Sequence, residues 1–439
     1  MHKFCILGLI FCVGIISGAS AMDLSLNDAV EKILAESNDL KKADANLKQA
    51  SAQLDAVNAN RWFNISANAS YMNLINVERP FESYAINLPA EWNAIAHGIG
   101  ADMSRIDVPD NIFMAGVNVS QPIYTFGKIG HAVDSVRSAI KMGEKNKELT
   151  RREVRYSAID LYWTAKMTDE IVKIAAADLR DAKNARASLT SAGRANRGNL
   201  VKIESDIATK QINLSNAEFN RDTAHRMLKI LAGIDVNTEI KLTDEFPDTF
   251  ADLNAGQLKT TPQWEILNNQ IQMYEHQAKS KRAENYPTLA AVGSYSYLAM
   301  SPRFRDMFGP DNSQSAYWGL NLSVPLFTGG ANRANATVSA MQAEAARQDL
   351  DKAKKIQTEQ YNNAIMEYDH LRNNLATLQN ARNLAAKAYK FSSDRFVSGQ
   401  TSAIELAEVS AGLYQLDMAL LNSKYKIIMA AESVKKLGE

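Results

Sequence analysis

Two glutamates in the C-terminal part of the chain are spaced so that they share one face of a predicted helix. Glu405 and Glu408 stand three residues apart in a segment of helical composition, so both carboxylates would lie on one face of a helix. If several copies of the chain met around an axis, this face would form two stacked carboxylate rings that favour cations and repel anions. Two solvated acids on a helix surface are the plain alternative. The sequence leaves both interpretations open.

The other residue types that perform chemistry do not form a catalytic or metal-binding pattern. The histidines beyond the first 21 residues are scattered and form no H-E-x-x-H motif: His97, His131, His225, His276 and His370. The chain has no G-x-x-x-x-G-K-[ST] phosphate loop and no G-x-S-x-G nucleophile elbow. We therefore predict no enzyme activity, no metal site and no cofactor.

The first 21 residues predict export. A basic start precedes an apolar run at 4–16, and small residues then end in Ala19-Ser20-Ala21, the order of a signal peptide with an A-x-A cleavage site. A membrane-spanning helix needs about 20 apolar residues, which disfavours the alternative of an N-terminal anchor helix. Both cysteines, Cys5 and Cys12, lie in this segment. We expect cleavage after Ala21 and a mature chain with no disulfide and no lipid anchor.

The charge balance and the hydropathy of the chain limit which kinds of partner it can bind and how it could cross a membrane. The chain has 49 basic and 49 acidic residues, and a nucleic-acid partner would require a basic stripe. Beyond the signal segment no apolar run approaches 20 residues. If the protein crosses a membrane, it must therefore do so with strands.

The chain contains an internal repeat. The stretch Val119–Gly127 (VSQPIYTFG) aligns with Leu322–Gly330 (LSVPLFTGG), 203 positions later. Further correspondences continue downstream with almost the same offset, such as Ser191-Ala192-Gly193-Arg194 with Val397-Ser398-Gly399-Gln400. A fixed period of this kind indicates two copies of one structural unit.

Each copy has the same predicted order: a helix, two strands with period-two alternation, and a pair of long helices joined at glycines. In the first repeat, 22–232, we predict a helix from Ser25 to about Arg61, strands at 64–76 and 112–124, and helices to about Leu189 and from Asn199 to about Leu231. In the second repeat, 262–439, we predict a helix from Pro262 to Asn285, strands at 288–298 and 315–327, and helices from Ala331 to Ser392 and from Ser402 to Leu437. The segment 233–261 is predicted to be a linker with little structure of its own.

Four strands are too few to form a closed wall in lipid. The smallest membrane barrels use eight strands, and an open edge in lipid leaves backbone amides unpaired. If the strands face lipid, several chains must share one barrel, and three chains would supply twelve strands. A soluble sheet that is half-buried on one face is the alternative.

The helices favour an elongated assembly. A helix of about 60 residues extends about 90 Å, so such helices must pack as long antiparallel pairs. Their apolar positions are mostly alanine, which allows helices to approach closely. The predicted fold class is mainly α with a small β part. A solvated coiled-coil rod without a tunnel remains the alternative.

These features together resemble the outer-membrane efflux protein (TolC) family. The resemblance rests on the repeated S-x-P-[IL]-[YF]-T-x-G motif before each long helix, on the opening Leu24-Ser25-Leu26-Asn27-Asp28-Ala29, and on the two glycine turns with their return helices. It implies a homotrimer with a shared 12-stranded transmembrane β-barrel in the outer membrane and a trimeric α-barrel that extends into the periplasm. It also implies a periplasmic adaptor (membrane fusion protein) and an inner-membrane pump, an RND or ABC transporter, as partners.

The resemblance also implies roles for residues at the two turns. Glu405 and Glu408 match positions where relatives carry pore-lining aspartates. In some relatives a tyrosine and an arginine of the second turn hydrogen-bond an aspartate of the first and hold the channel closed. The matching residues here are Phe396, Thr401 and Asn199, which cannot form that latch, so closure would depend on packing.

The remaining candidate residues have structural or contact roles. Arg194 and Arg197 would either contact an adaptor or keep the turn soluble. We expect Gly193, Gly198 and Gly399 to provide positive φ angles at the turns. The predicted strand-to-helix junctions are marked by Pro122, Gly127, Pro325, Gly329 and Gly330.

The predicted function is a passive outer-membrane exit duct for efflux or type I secretion. A periplasmic coiled-coil scaffold or adaptor without a channel is the alternative.

Overall fold

The structure, a computed structural model, describes residues 22–73, 75, 111–191, 197–253, 256–301, 304–309 and 312–438 of the chain. The described residues are mainly helical with a small β part, in agreement with the predicted class. The chain divides into two compact units. We call residues 1–47, 142–267 and 348–439 the helical unit, and residues 48–141 and 268–347 the sheet unit.

The helices account for most of the described chain. In order they are α1 (Leu26–Glu36), α2 (Asn38–Ala59), α3 (Lys128–Ser191), α4 (Arg197–Leu231), α5 (Pro262–Ala283), α6 (Ala331–Val397) and α7 (Ala403–Gly438). The two longest, α3 with 64 residues and α6 with 67, start 203 positions apart, which is the offset of the sequence repeat. Among the described residues, no helix combines the length and the apolarity required to cross a bilayer.

The first predicted helix is wrong in one respect, because it is divided at Ser37. Ser37 has non-helical backbone angles (φ −55°, ψ 119°), and its hydroxyl accepts a hydrogen bond from the Leu40 amide at 3.4 Å. A serine that caps the next helix competes with helix continuation, so α1 ends at Glu36 and α2 begins at Asn38.

One antiparallel sheet draws its strands from both halves of the chain. Its strand order is β2 (Asn64–Asn73), β3 (Asn111–Tyr124), β5 (Thr288–Ser301), β6 (Ser313–Ser323). The strands differ from the predictions mainly at their ends. β6 begins two residues earlier and stops at Ser323, since Val324 and Pro325 are not in the strand and proline has no amide hydrogen for a ladder. β5 continues three residues further than predicted, to Ser301, and residues 74 and 76, at the end of the first predicted strand, lie outside the described residues.

The register gives the sheet two chemically different faces. On one face lie apolar side chains from all four strands, for example Ile65 opposite Val119 and Leu289 opposite Leu322. The other face is polar: Asn118 donates to Asn68 Oδ1 at 3.0 Å, and Ser294 donates to Asn118 Oδ1 at 2.8 Å. Because strand side chains alternate, the predicted period-two pattern placed these residues on the correct faces.

The apolar face of the sheet is exposed in the single chain. Trp318 is 89% exposed and Leu320 is 67% exposed, and several other large apolar residues on this face are also exposed (Ile65, Tyr71, Val117, Tyr295, Leu322). Exposing apolar surface to water costs a free energy of roughly 25 cal/mol per Å² of that surface. An exposed apolar patch of this kind indicates contact with lipid or with another protein.

The segment 233–261 is more ordered than predicted. Its strand β4 (Ile240–Leu242) pairs in parallel with β1 (Met22–Leu24). Beyond β4, the Tyr162 hydroxyl donates to Asp244 Oδ2 at 2.7 Å, and the Tyr368 hydroxyl donates to the Ala251 carbonyl at 2.6 Å. The segment therefore packs against the long helices within the helical unit, and its composition does not predict this because its partners are distant in sequence.

The core of the helical unit is formed around Tyr162, which is fully buried. Leu24, Leu228 and Leu242 pack in the same cluster, together with residues of α1 and α3. Burial raises the pKa of the Tyr162 hydroxyl well above its usual range, with a further contribution from its hydrogen bond to Asp244. The buried side chains thus join the strand pair β1–β4 to the helices.

Candidate functional site at the helix-pair turns

The second helix-pair turn, between α6 and α7, has a well-defined backbone. Gly399 has a φ of 78°, its amide donates to the Phe396 carbonyl at 3.0 Å, and the Gln400 amide donates to the Arg395 carbonyl at 2.8 Å. These two bonds form a Schellman motif, which requires a left-handed residue at this position. Glycine adopts that conformation without a steric cost, so the turn ends α6 sharply.

The start of α7 is capped by the turn itself. The Ser402 hydroxyl accepts a hydrogen bond from the Glu405 amide at 3.2 Å, and the Thr401 hydroxyl donates to the Glu405 carboxylate. Thr401 is therefore engaged with α7 in this chain. Serine is a favoured N-cap residue, and the acidic side chain one turn later is favoured by the helix dipole.

Glu405 and Glu408 are both exposed near the start of α7. Ala403 and Leu406 of the same helical turn are buried, so they lie on the opposite side of the helix. The two carboxylates are thus free of the chain's own core, and they present negative charge on the outward side of α7.

Phe396 lies in an apolar cluster that we call the turn cluster. Phe396 is only 3% exposed. The buried members of the cluster come from α3, α4, α6 and α7: Ala185, Leu189, Ile203, Phe396, Ala403 and Leu406. Phe→Ala substitutions at buried positions typically cost about 3–5 kcal/mol. Within this chain, the two helix pairs are held together here by packing.

The first helix-pair turn is described only in part. Gly193 and Arg194 lie outside the described residues. Arg197 and Gly198 begin α4 and are exposed, and Gly198 is not among the glycines with positive φ, so the predicted positive φ at Gly198 is wrong. Asn199 is half-buried in the first turn of α4.

A buried ionic network lies next to the turn cluster, and sequence analysis missed it. Lys210 of α4 donates from Nζ to Asp178 Oδ1 of α3 at 2.6 Å and to Ser410 Oγ of α7 at 3.1 Å. Ser410 in turn donates to Asp178 Oδ1 at 2.8 Å. The Lys210 side chain is only 6% exposed. We call Asp178, Lys210 and Ser410 the buried network.

The surroundings of the buried network are acidic. Asp206 Oδ2 lies 3.8 Å from Lys210 Nζ, and burial raises the pKa of Asp206, with Asp178 adding to the effect and Lys210 opposing it. Burial, together with the nearby carboxylates, raises the pKa of Tyr389 to about 12. Lys210 thus lies close to two carboxylates at the place where α3, α4 and α7 meet, and Lys202 also lowers the pKa of Asp206.

The predicted strand-to-helix junctions are partly as expected. Gly127, Gly329 and Gly330 all have positive φ and directly precede or lie close to the starts of α3 and α6. Pro122 lies inside β3, where the register with β5 shifts between Pro122 and Tyr124, and Pro325 follows the end of β6. The two repeats therefore end their last strands differently.

Comparisons with known proteins agree with this architecture. A sequence profile of the outer membrane efflux protein family matches residues 29–233 and 267–437. The toxin and drug export protein A of Aggregatibacter actinomycetemcomitans is 20% identical over 423 residues, covering 94% of this chain and 85% of that protein.

Two solved structures show the same fold. The CmeC outer membrane channel of Campylobacter jejuni superposes with a TM-score of 0.77 at 18% identity, covering 94% of this chain and 85% of that one. The outer membrane protein VceC of Vibrio cholerae superposes with a TM-score of 0.73 at 18% identity, covering 94% and 96%. The chain belongs to the outer membrane efflux protein family, a family of channels rather than enzymes, and it serves as an outer-membrane efflux duct.

Proposed function

We propose that three copies of this chain form a passive conduit across the outer membrane and the periplasm, with one barrel shared among the copies. The observation that carries the proposal is the two-faced sheet. It has four strands, ends at β2 and β6, and exposes an apolar face in the single chain. Twelve strands from three copies would pair these edges and turn the apolar face to lipid.

Assembly can be tested on the full-length protein. We expect extraction from membranes to require detergent and the product to migrate as a trimer that resists heating in mild detergent. A monomer that partitions into the aqueous phase would contradict the shared barrel. The tandem division into repeats 22–232 and 262–439, with 233–261 between them, is part of the same proposal and is supported by the matching order of elements in each half.

The Glu405–Glu408 face is proposed as the constriction of the conduit. Both carboxylates are exposed, and the buried side of the same helical turn is Ala403 and Leu406. In a trimer, the outward face of α7 would bring like charges together and select cations.

Single-channel recording tests the constriction. We expect Glu405→Ala/Glu408→Ala to lower cation preference and to remove block by polyvalent cations. Glu204→Ala, which removes an exposed acid on α4 that pairs with Arg186, is the matched control and should conduct like the parent protein. Equal selectivity in the parent, the double variant and the control would exclude the constriction.

Further parts of the proposal concern export and partners. We propose cleavage after Ala21 with no lipid anchor, which mass spectrometry of the mature N-terminus would test. The helix-pair turns, with Arg194 and Arg197, are proposed to contact a periplasmic adaptor that links the duct to an inner-membrane pump of the RND or ABC type. Transport energy comes from that pump, because the duct itself is proposed to catalyse no reaction.

A further inference from the structure

Three side chains that are scattered in the sequence meet in the sheet unit. His131 and Asp134 lie one turn apart on α3, and His276 lies on α5. One potential ligand atom from each residue lies within 4.8 Å of the other two. The sequence predicted no metal site because about half of the first repeat and the whole linker lie between the two histidines.

The backbones around this cluster are held in register. Ser280 of α5 donates to the Lys128 carbonyl at 3.0 Å, and Ser135 of α3 donates to the Met273 carbonyl at 3.1 Å. These two bonds lie on either side of His131 and His276 along the antiparallel helices. The cluster is therefore placed by the packing of α3 on α5 and does not depend on flexible side chains alone.

Both imidazoles have unused coordination capacity. Among the described residues, neither ring makes a hydrogen bond or an ion pair, and His276 Nδ1 is buried without a partner. The ring centroids are 6.1 Å apart. A buried polar atom without a partner costs about 1–3 kcal/mol, so a ligand that used such an atom would be favoured.

The carboxylate of Asp134, the third potential ligand, is oriented by Arg137. Arg137 donates to Asp134 Oδ1 at 3.1 Å, and no other described side chain bonds the second carboxylate oxygen. Outer hydrogen bonds of this kind fix the direction of metal-ligating carboxylates. In a tetrahedral zinc site with ligand distances of about 2.1 Å, two ligand atoms are about 3.4 Å apart, so small side-chain rotations would bring the three ligand atoms from their present spacing onto one ion.

We propose that His131, Asp134 and His276 bind a divalent transition-metal ion that cross-links α3 to α5. Two imidazoles and one carboxylate suit Zn²⁺, Cu²⁺, Ni²⁺ and Co²⁺, whereas Mg²⁺ and Ca²⁺ prefer oxygen ligands alone. α3 follows β3 and α5 precedes β5, and these strands are neighbours in the sheet. The ion would join the two halves of the chain beneath that strand pair and would have a structural role.

The test uses full-length protein in detergent, treated with a chelator and then titrated with Co²⁺ and Zn²⁺. We expect one equivalent of Co²⁺ per chain, with the visible absorption of a low-symmetry site, and a rise in the thermal midpoint with Zn²⁺ but not with Mg²⁺. His131→Gln/His276→Gln should lose both signals. Asp134→Asn, which keeps the side-chain volume, should weaken Co²⁺ binding at least about tenfold.

The matched control is His225→Gln, because His225 forms the other histidine–carboxylate pair, with Asp169 at 2.9 Å. This variant should bind Co²⁺ like the parent protein. The proposal is overturned if the parent protein does not bind Co²⁺, or if His225→Gln loses binding while Asp134→Asn and the double variant keep it. Because Asp134→Asn changes only one atom type, it provides an answer even if the double variant does not fold.

Discussion

The sheet unit and the helical unit differ in where they place apolar and charged side chains. The sheet presents Trp318 and Leu320 to the surroundings, whereas the helical unit buries the cation Lys210 among partners from its own chain. An exposed apolar face is stable only when something outside the chain covers it. A buried charge is stable only when its partners are supplied from within. The apolar face of the sheet therefore requires cover from outside the chain, whereas the buried network has its partners within the chain.

The largest effect on stability is expected when one partner is removed from the buried network. Lys210→Met would leave Asp178 buried without its cation, so we expect a loss of about 3–5 kcal/mol and a clear fall in the thermal midpoint by circular dichroism. The double variant Lys210→Met/Asp178→Leu removes both charges and should recover much of the loss. Equal midpoints for Lys210→Met and the parent protein would show that the ionic network does not stabilise this junction.

The next test places a charge on the apolar face of the sheet. Leu320→Arg should cost about 2–4 kcal/mol per chain if that face lies near the middle of a bilayer, and the heat-resistant trimer should be lost. Asn321→Arg puts the same side chain on the polar face of the same strand and should leave the trimer intact. The comparison fails if both variants behave alike.

Alkaline pH should reveal the burial of tyrosines in the helical unit. Tyr389 and Tyr425 each have a pKa of about 12, raised first by burial, whereas a tyrosine in the unfolded chain titrates near 10. Both states are neutral below about pH 10, so stability is unaffected there, and it falls as pH rises from 10 towards 12 because the unfolded chain loses its protons first.

Thermal midpoints between pH 9 and pH 12 would measure this fall. Tyr389→Phe removes one titrating group and should make the decline shallower, while the midpoint near pH 9 changes little. A midpoint that rises above pH 10 would contradict the direction of these pKa shifts.

The smallest effect is expected on the surface of the same helix pair. Arg186 and Glu204 form an ion pair at 2.9 Å in which both side chains are about half exposed. Exposed pairs contribute about 0–1 kcal/mol, so Arg186→Ala should hardly change the thermal midpoint. A loss as large as that of Lys210→Met would mean that exposure does not separate the two pairs.

Local sequence patterns were sufficient to predict much of the architecture. The alternation in 112–124 and 288–298 predicted β3 and β5 and the faces of their residues, because strand side chains alternate by covalent geometry. The repeated motif predicted the starts of α3 and α6, since it places a glycine directly before the helix at both places, although the strands before it end differently. The positive φ at Gly399 followed from the need to reverse direction after a long helix.

Local sequence patterns could not predict contacts between segments that are distant in the chain. β4 has only three residues and pairs with β1 over 200 positions away, so neither strand has a recognisable period of its own. Ser37 lies in a stretch of helical composition, and α1 is divided from α2 at its non-helical backbone, where its hydroxyl accepts a hydrogen bond from the Leu40 amide.

The sequence by itself determined the element order, the two faces of the sheet and the negative face of Glu405 and Glu408, because each depends on neighbours within one turn or one strand. Only the tertiary structure decided that Lys210 meets Asp178 and Ser410, that Phe396 is buried, and that His131 meets His276. Those contacts join residues from different helices, and their formation depends on how whole helices pack.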